Sequence, residues 1–87
     1  PIYIHGDRED PIVFNIKNTE LSAAAEKDSE MFMDAEFFDT IHLENVKTEG
    51  YANPEIILRS DGNLETPGSA TFNVKKGESG KAAFAGR

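Results

Sequence analysis

Eighty-seven residues bound the chain to one small domain, and a domain of that size buries only about 60% of its unfolded surface. Cysteine is absent, which removes disulfide bridges and thiolate zinc sites as sources of stability. The net charge of −7 sets the surface against a phosphate backbone, since counterion release requires clustered Lys and Arg.

Ile2 and Ile4 alternate with Tyr3 and His5, which predicts a short strand. Pro1-Ile2-Tyr3-Ile4 resembles the opening of the 4-oxalocrotonate tautomerase family, in which an N-terminal proline acts as a base. The resemblance covers four residues. That family continues into a long amphipathic helix, whereas this chain continues into a charged loop, Gly6 to Pro11, and another strand-like run. Pro1 is therefore read as the product of Met removal or leader cleavage, not as a base.

Ile12, Phe14 and Ile16 alternate with Val13, Asn15 and Lys17 and predict a second strand. Asn18 to Ser29 reads two ways. Thr19 to Lys27 contains helix-forming residues with Asn18 or Thr19 as a cap, and the same residues form a strand face of Leu21, Ala23 and Ala25.

Glu30 to Glu44 has the clearest pattern. Met31, Met33, Ala35, Phe37, Ile41 and Leu43 stand at odd positions, and Glu30, Asp34, Glu36, Thr40, His42 and Glu44 at even ones. A repeat of two is that of an extended strand with one wet face. Asp39 interrupts the apolar face and predicts a bulge or corner. Phe32 and Phe38 fall on the even, acidic face. Two aromatics among carboxylates have the composition of a protein interface, with apolar anchors inside a charged rim. Tyr51, between Gly50 and Ala52, is a third candidate anchor.

Ile56 and Leu58 predict a further strand, Ala70, Phe72 and Val74 another, and Ala82 with Phe84 a weak last one. Ser60-Asp61-Gly62-Asn63 and Thr66-Pro67-Gly68 read as turns, and Lys76 to Gly80 as a hairpin loop. Together these predict an all-β fold, a small antiparallel sandwich or barrel of six to eight short strands, with a short helix near 19–27 as an option. Residues 1–10 and 77–87 are the expected extended arms. The expected core is Ile2, Ile4, Ile12, Phe14, Ile16, Met31, Met33, Phe37, Ile41, Leu43, Ile56, Leu58, Phe72, Val74 and Phe84.

No chemistry-bearing motif stands out. Gly77-Glu78-Ser79-Gly80-Lys81 has two residues between its glycines, where a phosphate-binding loop has four, and Ala82 stands where a metal-binding hydroxyl is needed. His5 and His42 lie far apart in sequence and read as surface residues. Asp7, Glu9, Asp10, Asp61 and Asn63 offer loop oxygens, without the twelve-residue calcium pattern. Neither a metal nor an organic cofactor is expected, and no nucleophile–base pair points to an enzyme.

Charge is divided along the chain. Residues 18–58 carry ten acids against Lys27 and Lys47, whereas the C-terminal stretch carries Lys75, Lys76 and Lys81. The reading is a non-enzymatic assembly subunit that meets other copies or a larger particle, such as a virion or filament. Its contact residues are Phe32, Phe38, Tyr51, Glu30, Asp34, Glu36, Lys75, Lys76 and Lys81. A virion or cell-surface setting is favoured over the cytoplasm, with no direct nucleic-acid contact and no membrane insertion. The alternative is a small acidic inhibitor that imitates nucleic acid and blocks a basic enzyme.

Overall fold

The computed structural model describes residues 2–22, 31–51 and 53–77. These form seven strands: β1 (Ile2–His5), β2 (Ile12–Ser22), β3 (Met31–Glu36), β4 (Phe38–Glu49), β5 (Glu55–Leu58), β6 (Asn63–Glu65) and β7 (Asn73–Lys76). Odd-numbered strands make one sheet, in the order β1-β3-β5-β7, and even-numbered strands make the other, β2-β4-β6. Every pairing between these strands is parallel. The chain therefore coils. β1 and β2 form a first coil, β3 and β4 a second, and β5 and β6 a third, while β7 begins a fourth.

This overturns the antiparallel sandwich or barrel expected from the sequence. Alternation identifies a strand with one buried face but carries no information about the direction of its neighbour. Parallel sheets usually read as continuous apolar runs because helices cover their outer faces. Here the outer faces meet water, so the sequence alternates as an antiparallel sheet would. Among the described residues there is no helix, and Thr19–Ser22, part of the optional helix, belong to β2. The remainder of that optional helix, residues 23–27, lies outside the described residues. Ile2–His5, expected in an arm, is instead paired with β3 from Ile2↔Met33 to His5↔Glu36. Residues 78–87 of the second expected arm lie outside the described residues.

Inward side chains stack coil upon coil. Ile2, Met33, Ile56 and Val74 form one column, Ile4, Ala35 and Leu58 a second, and Phe14, Ile41 and Leu64 a third. The sealed core is Ile4, Phe32, Met33, Ala35, Phe38, Ile41, Leu43, Val46, Ile56, Leu58 and Leu64. Burial of a large apolar side chain contributes about 1.5–3 kcal/mol, so these columns are the main force holding the coils together.

Two kinds of corner turn the chain. At the first, Asn18, Asn45 and Gly68 all have positive φ (52°, 53° and 63°). Gly68 lies under Asn45, whose Cα would be 3.9 Å from a Cβ placed on the glycine. Asn and Gly tolerate this left-handed conformation better than other residues. The corner also shifts the inward phase. In β4, Ile41 and Leu43 point in, Asn45 turns, and Val46 points in. The second corner passes through Phe37, at φ 56°. The Phe37 carbonyl accepts from the Ile12 N–H at 3.1 Å, and its own N–H donates to Ser60 Oγ at 2.6 Å. Gly6 and Gly62 make room on either side. A Cβ at Gly6 would sit 2.3 Å from the Phe37 carbonyl oxygen, and one at Gly62 2.4 Å from the Phe38 ring. The bulge expected at Asp39 is present, since Ile12 pairs with Phe38 and Val13 with Thr40.

Candidate functional sites

Phe32 and Phe38 are not interface anchors on an acidic face. They are 0% and 2% exposed. Phe32 is the extra residue of a β-bulge, between Met31↔Glu55 and Met33↔Ile56, and the bulge turns an even-numbered side chain inward. Its ring packs against Tyr51 at 5.3 Å and Phe72 at 5.1 Å between centroids. Tyr51 is thus half-buried against the core. Phe38 follows the left-handed Phe37, which resets the alternation. Phe37 itself, expected in the core, is half-buried and stands outside the sealed cluster.

The acidic face is also divided. Asp34 is 5% exposed and clamped on the outer side of the first sheet. Arg59 Nε lies 2.7 Å from Asp34 Oδ1 and Arg59 Nη2 2.8 Å from Oδ2, while His5 Nε2 lies 3.3 Å from Oδ1. The three residues come from three successive coils, so the cluster ties them together. The Arg59 guanidinium holds the Asp34 carboxyl below its usual range, against the opposing effect of burial and with help from His5.

A second cluster lies on the outer side of the other sheet. His42 Nδ1 is 2.7 Å from Glu65 Oε1, and His42 Nε2 is 2.9 Å from Glu44 Oε1. Carboxylates at both ring nitrogens favour the doubly protonated imidazolium, and the histidine is raised above its ordinary value, first by Glu44 and then by Glu65. Glu44 is lowered in turn, by His42 and by Lys17 across the strand pair.

Of the other candidates, Lys75 bonds Glu55 at 2.6 Å, Lys76 is exposed and Glu36 is half-buried. Glu30 and Lys81 lie outside the described residues. Among the described residues no group of His, Cys, Asp and Glu has the arrangement of a metal site, and no helix is long and apolar enough to cross a membrane.

At the Phe37 corner there is a groove of about 600 Å³, lined by Arg8, Glu36, Phe37, Arg59, Ser60 and Asp61 together with Pro11 and Phe38. The Arg8 guanidinium carbon sits 4.9 Å from the Phe37 ring centroid. Sequence reasoning missed this groove, because its residues come from a loop, a corner and a third coil. An aromatic residue at a left-handed corner leaves no mark in an alternation pattern.

The fold and these clusters define a parallel β-coil protein. Comparisons with protein-family models, with curated proteins and with solved structures gave no match to this chain.

Proposed function

We propose that this chain is a non-catalytic structural module that works by protein–protein contact, accepting a further β-strand layer on its first coil. The supporting observation is a gradient of burial. Inward residues of the second coil, Met33, Ile41, Leu43 and Val46, are fully buried, whereas Ile2, Phe14, Ile16 and Leu21 of the first coil are only partly so. β1 and β2 are also the edge strands of their sheets. An edge strand presents a row of main-chain donors and acceptors to a partner, and adding a strand satisfies them while covering apolar side chains. The partner is a protein surface bearing a free strand, and the occupant proposed is a second copy of this chain.

Light scattering across a concentration series tests the reading. The expected result is association that weakens when Ile16→Lys places a charge on the open coil. A strict monomer up to about 1 mM, where even weak contacts register, contradicts it. The nucleic-acid-mimic alternative draws no support from the carboxylates described. Asp34 is neutralised by Arg59, and Glu44 and Glu65 share His42, so these acids do not form an open row that would match phosphates.

A further inference from the structure

The geometry points to the Phe37 groove as a binding site for a small carboxylate that also carries hydrogen-bond donors. The inference is separate from the strand-docking reading, because the groove lies on the flank of the coil.

It begins with strain. Five of the described residues adopt positive φ, and at Asn18, Asn45, Gly50 and Gly68 the residue suits that conformation. Phe37 does not. A bulky side chain there is strained relative to glycine or asparagine. Core packing does not account for the cost, since Phe37 is neither in the sealed cluster nor among the half-buried residues packed on it. What the ring does is line the groove and carry Arg8 on its face.

Arg8 is the second observation. Stacking on an aromatic ring orients a guanidinium without using its N–H donors. Among the described residues no carboxylate lies within ion-pair distance of Arg8, so its planar fork is presented rather than consumed. A carboxylate is the group that fits such a fork with two parallel hydrogen bonds.

The rest of the lining supplies the complement. Glu36 brings a carboxylate, which accepts from hydroxyls or an ammonium, and Ser60 adds a hydroxyl. Arg59 is fixed by its two bonds to Asp34, so this wall is held in place. A ligand with an oxyanion for Arg8 and donors for Glu36 has two sources of one chemistry. One is an acidic sugar, with its carboxylate and hydroxyls. The other is an amino acid or peptide end, with its carboxylate and ammonium or hydroxyl.

Titration of the labelled full chain with D-glucuronate and, separately, L-threonine, followed by NMR, tests the site. Acetate serves as the carboxylate-only control. The expected result is saturable shifts at Arg8, Glu36, Phe37 and Ser60 with one of the two probes, at a Kd on the order of millimolar. The probe that binds identifies the source. Arg8→Gln is expected to weaken binding about tenfold or more. Phe37→Asn is expected to weaken it likewise while the protein stays folded with an unchanged or raised Tm, since asparagine suits the backbone there. Absence of shifts with both probes at about 50 mM overturns the proposal, as does acetate binding as tightly as either probe. Unaltered binding by both variants overturns it too. The light-scattering result is independent of all these outcomes.

Discussion

Asn45 stacks on Asn18, its side-chain nitrogen donating to Asn18 Oδ1 at 2.9 Å, and both residues turn the backbone through the left-handed region. One bond thus joins the corners of two successive coils. Asn45→Ala removes the bond and places a Cβ-bearing residue without a polar side chain at φ 53°. The expected cost is about 1–2 kcal/mol. Asn45→Gly loses the bond but not the conformation, and is expected to cost less. Thermal unfolding of the two variants checks the order.

Asp34→Asn keeps the shape of the side chain and removes its charge, leaving the Arg59 guanidinium against a neutral partner on a surface where Asp34 is nearly sealed. The expected loss is about 2–3 kcal/mol, larger than for a surface ion pair. Urea unfolding measures it. Because the Asp34 carboxyl is held below its ordinary value of 3.8, its contribution is complete above that value and is lost as pH falls through the lower, folded-state value. Acid unfolding of the wild type is therefore expected to begin below pH 3.8 at this cluster.

His42 has the opposite sign. Its folded-state value lies above the ordinary 6.5, so the imidazolium bridge between Glu44 and Glu65 stabilises fully below 6.5 and fades as pH rises through the raised value. Both carboxylates are about half exposed to water, so the effect is small. NMR titration of the His42 ring is expected to give a midpoint above 6.5, and Glu65→Gln to lower it.

Most of the strands were legible in the sequence, though not β6, whose Asn63 was read as part of a turn; their direction was not legible. Alternation located Ile2–His5, the start of β2, β3–β4 and Glu55–Leu58. It placed Ile4, Met33, Ile41, Leu43, Ile56 and Leu58 correctly in the core. It failed at Phe32, Phe38 and Val46, each of which lies beside a bulge or a positive-φ corner that shifts the phase. The repeat was hidden because the coil changes length, from 31 residues between Ile4 and Ala35 to 23 between Ala35 and Leu58 and 18 between Ile56 and Val74.

One signal was available. Phe14-Asn15-Ile16-Lys17-Asn18-Thr19-Glu20 and Ile41-His42-Leu43-Glu44-Asn45-Val46-Lys47 share a pattern of apolar, polar, apolar, charged, Asn, β-branched, charged. The charges are of opposite sign at both positions, and Lys17↔Glu44 and Glu20↔Lys47 are paired in register. Opposite charges on neighbouring parallel strands are what a stacked repeat requires. Neither groove nor clasp had such a signal, since Arg8, Phe37 and Ser60, or His5, Asp34 and Arg59, meet only once the coils are stacked.

Those paired charges carry a further prediction. Lys17→Glu sets a glutamate beside Glu44 and is expected to cost about 0.2–1 kcal/mol, recovered in part by Glu44→Lys in the same chain. A double-mutant cycle by thermal unfolding measures the coupling.

Gly62→Ala addresses the second corner. Its Cβ would lie 2.4 Å from the Phe38 ring and 2.5 Å from the Phe38 carbonyl oxygen, so the third coil must move away from the second. The expected loss is about 1–3 kcal/mol by overpacking, read as a lower denaturation midpoint.

Residue-resolved hydrogen exchange in dilute and concentrated solution tests the docking role of the first coil most directly. Amides of β4, paired on both sides, are expected to be protected at both concentrations, whereas the outward-facing amides of β2 gain protection only as the protein is concentrated. Equal exchange of β2 at the two concentrations, or a gain confined to β6 and β7, would contradict it.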